Sequence, residues 1–256
     1  MRFAKWHGLG NAYVYLDLVS QPDPGWDWAR LARWVSDPGV GIGSDGLILI
    51  LPGREAPLAM RIFNADGSEG EMCGNGIRCV AAYAYRRGLV RRTELVVETL
   101  AGPRRLWLEP DGEGAASVTV AMGAPGLRRR DIPMLGGDPD GRVLAEGVEV
   151  DGRRWEVTAV SMGNPHCVIF LAPGEDVALE EVGPRLEHHP AFPRRTNVEF
   201  VRVLAADRLE VRVWERGAGP TLACGTGACA ALVAAALTGR TGRRAVVHLP
   251  GGDLLV

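Results

Sequence analysis

A four-residue phrase, Cys-Gly-x-Gly, occurs twice in this chain, as Cys73-Gly74-Asn75-Gly76 and as Cys224-Gly225-Thr226-Gly227. Each copy runs into an alanine-rich apolar stretch, Ile77 to Ala84 in the first case and Ala228 to Leu237 in the second. A glycine-flanked start before such a stretch predicts a turn and then a helix with the cysteine at its N-terminus. Backbone N–H groups there lack partners inside the helix, and the local potential is positive. Such an end binds anions and is expected to lower a thiol pKa. The two cysteines, at 73 and 224, stand 151 residues apart, a domain length rather than a solenoid period. The expectation is a duplicated unit with two matched cysteines facing one anionic substrate.

Other phrases echo in the same order. Gly10-Asn11-Ala12-Tyr13-Val14 resembles Gly163-Asn164-Pro165-His166-Cys167-Val168. Phe63-Asn64-Ala65-Asp66 precedes the first cysteine phrase, and Thr196-Asn197-Val198-Glu199 precedes the second. The five asparagines, Asn11, Asn64, Asn75, Asn164 and Asn197, all fall inside these paired phrases. Asparagine favours turns and caps in any protein. Its confinement to the echoing phrases points to a shared polar site. The predicted domains are 1–122, carrying Cys73, and 123–256, carrying Cys224. The junction falls in Gly123-Ala124-Pro125-Gly126, and the active site in the cleft between the domains.

Short β-branched or alternating runs predict strands at 47–51, 94–98, 116–120, 167–170, 198–203 and 209–214. The best helix candidates are Trp28–Val35, Gly76–Arg87 and Gly227–Thr238. The class is α+β: two pseudo-symmetric domains, each a curved, mostly antiparallel sheet around a central helix whose N-terminus carries the cysteine. Arg128-Arg129-Arg130-Asp131 reads as a solvated face.

Composition narrows the function. A net charge of −2 over 256 residues gives no global field for nucleic acid or an anionic membrane. No apolar stretch is long enough to span a bilayer, and the N-terminus has no signal-peptide core, so a soluble cytoplasmic protein is expected. Five cysteines argue against a disulfide scaffold, and their spacings, with the scattered histidines, miss the usual zinc patterns. Lys5 is the only lysine, hence the only candidate for a pyridoxal-phosphate Schiff base, and a P-loop is absent. No metal and no cofactor are expected.

Cys79, Cys167 and Cys229 read as small buried hydrophobes. Cys73 and Cys224, bracketed by glycine and polar residues, leave two chemistries open. A nucleophile would need a base and an orienting residue around one cysteine, and the second would have no role. Two thiols on opposite faces of a carbon could instead remove a proton on one side and deliver one on the other, inverting the centre. An amino acid α-carbon is a weak acid. Without a cofactor, the carbanion must be stabilised through its carboxylate, by N–H groups of Gly74, Asn75, Gly225 and Thr226 at the two helix ends.

At these residues the chain resembles diaminopimelate epimerases. The resemblance rests on the run from Phe63 to Cys79, on Ser161-Met162-Gly163-Asn164-Pro165-His166, on Thr196-Asn197-Val198-Glu199-Phe200 and on Glu215-Arg216-Gly217-Ala218-Gly219. It also includes Leu222-Ala223-Cys224-Gly225-Thr226-Gly227-Ala228 and His7-Gly8-Leu9-Gly10-Asn11, with Gly41 to Gly46 as weaker support. It implies a cofactor-independent epimerase acting on diaminopimelate, soluble and homodimeric. Cys73 and Cys224 would be the acid–base residues, with His166 and Glu215 beside the thiols to tune or orient them. Arg216 would grip the distal carboxylate. Asn11, Asn64, Asn164 and Asn197 would bond the distal amino and carboxylate groups, with Gly74, Asn75, Glu215, Gly225 and Thr226 also lining the substrate.

Three positions depart from the family pattern. Pro220 stands where the family usually has glutamate, and Ser44 occupies a variable position. The family normally continues past Val256 with strands that return to the first domain; the alternatives here are a truncated sequence or a last edge covered differently, the last strand packing back on the first domain being one option. Proline and hydroxyproline racemases are the alternative enzymes. They typically carry histidine where this chain has Asn75, and their substrate gives Arg216 no distal carboxylate. A redox switch pairing Cys73 with Cys224 is the non-enzymatic alternative, and it leaves the asparagines without a ligand.

Overall fold

The computed structural model describes residues 1–111 and 116–256. It divides into two compact units, Met1–Met122 and Gly123–Val256. The first contains β1 (Ala4–Gly8), β2 (Asn11–Asp17), α1 (Trp28–Ser36), β3 (Gly46–Pro52), β4 (Leu58–Asn64), β5 (Glu69–Gly70), α2 (Gly74–Arg86), β6 (Glu94–Glu98), β7 (Arg104–Pro110) and β8 (Ala116–Val120). The second contains β9 (Glu146–Val150), β10 (Arg153–Ser161), β11 (Pro165–Phe170), α3 (Leu179–Glu187), β12 (Asn197–Ala205), β13 (Arg208–Glu215), β14 (Gly219–Thr221), α4 (Gly225–Leu237), β15 (Val246–Leu249) and β16 (Gly252–Leu255).

Each unit holds one eight-stranded sheet. The first runs β1-β2-β3-β4-β6-β7-β8 with β5 on β4, and the second β16-β15-β13-β12-β11-β10-β9 with β14 on β13. Most pairings are antiparallel; β2/β3 and β4/β6 in one sheet, and β11/β12 and β13/β15 in the other, are parallel. Set β1 on β10, β2 on β11, β3 on β12 and β4 on β13, and every direction agrees, with α1 opposite α3 and α2 opposite α4. β8 and β9 are the strands without a counterpart.

This superposition corrects one sequence pairing. Asn64 is the last residue of β4, and its counterpart is Glu215, the last residue of β13. Asn197 instead opens β12, and its counterpart is Gly46, which opens β3. Matching asparagine to asparagine paired two different strand ends.

Side-chain alternation explains the layering. In the first unit Tyr13, Tyr15, Ile48, Ile50, Met60 and Ile62 form one core with Ile77, Val80, Ala81 and Ala84 of α2. The intervening Val14, Leu16, Leu47, Leu49 and Phe63 point to the other face and pack with Ala32 and Val35 of α1. Two covered faces are why β3 is almost wholly apolar. In the second unit α4 packs on β10 to β13, while α3 packs on β9, β12, β13 and β14. The alanines of α4, with Ala228, Ala230, Ala231, Ala234 and Ala235 buried, let the sheet approach closely.

α3 is the helix absent from the sequence expectation, because Gly183 and Pro184 lie inside it. A Cβ at Gly183 would lie 2.6 Å from the Trp214 ring, so glycine lets the helix sit on β13. Arg129, expected on a solvated face, is buried, with Nη2 2.5 Å from Glu146 Oε1. β16 pairs with β15 in the second unit's own sheet. Among the described residues no helix is long and apolar enough to cross a membrane.

Candidate active site

Cys73 and Cys224 are the N-caps of α2 and α4. Both have extended backbone, φ −133° and ψ 118° for Cys73, φ −119° and ψ 111° for Cys224. That conformation turns each sulfur back over the first helical turn. The Gly76 N–H donates to Cys73 Sγ at 3.3 Å, and the Gly227 N–H to Cys224 Sγ at 3.4 Å. Each thiol thus takes the place usually filled by a serine or aspartate oxygen.

Around Cys73, the thiol donates to Asn11 Oδ1 at 3.5 Å. Asn11 is oriented by Asp45, whose Oδ2 accepts from Asn11 Nδ2 at 2.8 Å and from the Ala12 N–H at 2.7 Å. Gly10, with φ 83°, makes the turn that brings Asn11 into place. Asn75 is buried inside the first turn of α2 and its Oδ1 accepts from Arg78 Nη2 at 2.6 Å. Asn64 Nδ2 donates to Ser68 Oγ at 3.0 Å, closing the turn before β5.

Around Cys224, Thr226 Oγ1 lies 3.4 Å from the sulfur and accepts from Asn164 Nδ2 at 3.4 Å. Asn164 Oδ1 in turn lies 2.9 Å from His166 Nε2. On the other side of the ring, Nδ1 lies 2.7 Å from Glu199 Oε1. His166 and Glu199 are both 0% exposed. His166 therefore reaches the Cys224 thiol through Asn164 and Thr226.

The expectation that a helix N-terminus lowers the thiol pKa fails at Cys224. Burial pushes this thiol well above its ordinary value, and the Glu215 carboxylate adds to the rise. The Thr226 hydroxyl and Gly227 N–H act in the opposite direction and do not offset it. Desolvation of a thiolate that is only 5% exposed outweighs two weak donors. In the free protein Cys224 is a thiol, ready to give a proton.

Glu215 and Arg216 leave β13 in a loop that two buried residues fix from beneath. Asn197 Oδ1 accepts from the Arg216 N–H at 2.9 Å, while its Nδ2 donates to Pro165 O at 2.8 Å. Glu187, 3% exposed, accepts from Trp214 Nε1 at 2.7 Å and from the Gly217 N–H at 3.0 Å. The Arg216 side chain is exposed, with Nη1 donating to Arg194 O at 3.2 Å.

Within its own unit, each cysteine is thus brought together with the asparagine of the preceding Gly-Asn turn, and Arg216 with Asn197. Gly74 and Gly225 are the first residues of α2 and α4. Sequence reasoning missed Asp45, Glu187 and Glu199. Glu199 had a signal: a lone acid between Val198 and Phe200 in an otherwise apolar run. Among the described residues no group of three or more His, Cys, Asp or Glu side chains could hold a metal.

The diaminopimelate epimerase family model matches residues 3–127 and 158–256. The diaminopimelate epimerase of Moorella thermoacetica is 56% identical, over 100% of this chain and 91% of that protein. That of Desulforudis audaxviator is 57% identical with the same coverage. Among solved structures, a hydroxyproline epimerase from Agrobacterium vitis aligns with a TM-score of 0.69 at 18% identity, covering 98% of this chain and 81% of that one. A Bacillus anthracis protein of the PhzF phenazine-biosynthesis family aligns at 0.67 and 15% identity, covering 100% and 89%. These distant likenesses carry the fold alone. With matches of this identity along its whole length, the chain belongs to the diaminopimelate epimerase family.

Proposed function

We propose that the protein interconverts LL- and meso-2,6-diaminopimelate by proton transfer at one α-carbon, using Cys73 and Cys224 and no pyridoxal phosphate or metal. The observation that carries this is the matched pair of cysteine N-caps, each thiol receiving the N–H of the glycine three residues on. In the reaction one thiolate takes the α-proton and the opposite thiol gives its own. The product has the inverted configuration, and the two sulfurs have exchanged protonation states. A near-symmetric enzyme suits a reaction whose directions are near-equivalent. Cys224, protonated at rest, is ready for the direction in which it donates.

The carbanion is stabilised through the α-carboxylate. The N–H groups at the starts of α2 and α4, from Gly74, Asn75, Gly225 and Thr226, supply fixed positive potential there. Arg216 takes the distal carboxylate, with Asn11, Asn64, Asn164 and Asn197 completing recognition of the non-reacting end. Glu215 adjusts Cys224 through its charge, and His166 orients Asn164. The protein acts in the cytoplasm, as a homodimer, in the synthesis of lysine and peptidoglycan precursors.

The test is α-proton exchange in D₂O under reducing conditions, followed by NMR, with LL-diaminopimelate and L-proline in parallel and no added cofactor. Deuterium entry with appearance of the meso isomer, on diaminopimelate alone, is the expected result. Turnover of proline instead would move the chain to the racemases.

A further inference from the structure

The two halves differ beneath their cysteines. A Cβ at Gly76 would lie 2.5 Å from Ile48 Cδ1, and a Cβ at Gly227 would lie 2.8 Å from Glu199 Oε1. Ile48 and Glu199 are each the third residue of their strand, β3 and β12. The neighbouring positions are Tyr13, which pairs with Gly46, and His166, which pairs with Asn197. Where the first unit has a tyrosine and an isoleucine, the second buries a histidine and a glutamate.

A fully buried carboxylate is expensive unless paired and hydrogen-bonded. Glu199 Oε1 has its partner in His166 Nδ1, but among the described residues Oε2 is buried without one. A bare carboxylate would leave a charged oxygen unsatisfied. A carboxylic acid would leave only a carbonyl oxygen, at much smaller cost. His166 Nε2 faces Asn164 Oδ1, an acceptor when Asn164 Nδ2 donates to Thr226, so Nε2 carries a hydrogen. One further proton then lies between Nδ1 and Oε1. On nitrogen it makes an imidazolium and a carboxylate, on oxygen an imidazole and an acid, and the pair has no net charge either way.

We propose that Glu199 is a positioning residue that shares one proton with His166, locks Nε2 as a donor, and so directs the chain through Asn164 and Thr226 to make the Thr226 hydroxyl donate to Cys224 Sγ. It rests on the reading of Cys224 as an acid–base residue. Polarity runs one way: Nε2–H to Asn164 Oδ1, Asn164 Nδ2–H to Thr226 Oγ1, Thr226 O–H to sulfur. The ionisable groups facing Glu199 are His166 and Cys167 on β11 and Cys224 at the start of α4, while Glu215 on β13 faces Cys224. A neutral pair also withdraws the charge with which Glu199 would oppose a thiolate at either cysteine.

The test uses the whole protein with ¹⁵N-labelled histidine, and long-range ¹H–¹⁵N correlations from pH 5.5 to 8.5. Subtraction of a His166→Asn spectrum assigns the ring. The expected result is a hydrogen held on Nε2. An Nε2 without its hydrogen overturns the proposal. Glu199→Gln, isosteric and able to donate to Nδ1, should keep Nε2 protonated. It should change the rate of Cys224 alkylation at pH 8 by less than about threefold, since no net charge is removed. If Glu199 were a bare carboxylate, the same variant would release the thiolate and speed alkylation about tenfold or more. Glu199→Ala should let the ring hydrogen move to Nδ1; a ring still locked with its hydrogen on Nε2 overturns the role of Glu199. Should that variant fail to fold, the wild-type spectrum and the glutamine variant decide. None of these measurements needs turnover. A protein that left diaminopimelate unexchanged would lose the functional reading, while the ring state would still be determined.

Discussion

His166 Nδ1 and Glu199 Oε1 meet at 2.7 Å with both side chains fully buried, directly under the glycine whose N–H donates to Cys224 Sγ. The contact joins two parallel strands, β11 and β12, at the register that places His166 opposite Asn197. The first unit builds the same corner from Tyr13 and Ile48, so the backbone does not need a buried acid there. In the proposed reaction the pair serves the second thiol.

This asymmetry separates two otherwise equivalent substitutions. Gly76→Ala and Gly227→Ala each press a methyl group into an occupied space, against Ile48 Cδ1 and Glu199 Oε1 respectively. Both should lose about 1–3 kcal/mol of stability from overpacking, measured by urea denaturation. Only Gly227→Ala should also alter the His166 ring ¹⁵N shifts. Equal spectra for the two variants would mean that the Glu199 carboxylate simply moves aside.

Removing either sulfur should stop inversion. Cys73→Ala and Cys224→Ala are each expected to lose about 10²–10⁴-fold or more in the rate of isomer interconversion, the range for a positioned acid or base. Chiral analysis of the diaminopimelate product measures it. Full racemising activity in one of the single variants would refute a two-base scheme.

Much of this arrangement was legible in the sequence, for stated physical reasons. The Cys-Gly-x-Gly phrases marked α2 and α4 because glycine admits the tight approach and the alanines that follow can propagate a helix. The apolar run 47–51 marked β3 because a strand covered on both faces has no polar side. α3 was hidden by Gly183 and Pro184, whose local preference is overridden by packing on Trp214. Asn64 and Asn197 were paired by residue type, whereas their strand ends belong to different corners of the repeat. The rise at Cys224 was invisible because burial is a property of the fold, not of the four-residue phrase.

Arg216 owes its place to backbone contacts that sequence does not display. Arg216→Ala should lower kcat/KM for diaminopimelate about 10–100-fold, the loss of a charge-assisted bidentate contact. A monocarboxylic analogue should lose less than about threefold, having no second carboxylate for the fork to hold. Equal losses on both substrates would refute a distal grip.

Glu187 tests the support beneath that loop. Its carboxylate satisfies the Trp214 indole and the Gly217 N–H, one residue beyond Arg216. Glu187→Ala leaves those donors without their acceptor, at about 1–3 kcal/mol for each that stays buried. The expected signature is lower stability in urea together with a raised KM for diaminopimelate. A destabilised variant with unchanged KM would show that the loop holds its shape without Glu187.

The raised pKa of Cys224 sets a pH dependence with a definite sign. The fold favours the neutral thiol, so its stabilising contribution is full below the unfolded value of about 8.5 and is lost as pH rises above it. In the free protein, alkylation of Cys224 by iodoacetamide at pH 7.5 should be slower than that of an unstructured thiol, which is about a tenth thiolate there. The rate should still be climbing above pH 9. Cys229, five residues further along α4 and pushed up to about 11 by burial, serves as an internal comparison in the same digest. Peptide mass spectrometry separates the two sites. If Cys224 were instead alkylated fully and fast at pH 7, its thiolate would be stabilised at rest. The helix N-terminus would then have outweighed burial, and Cys224 would be the resting base rather than the resting acid.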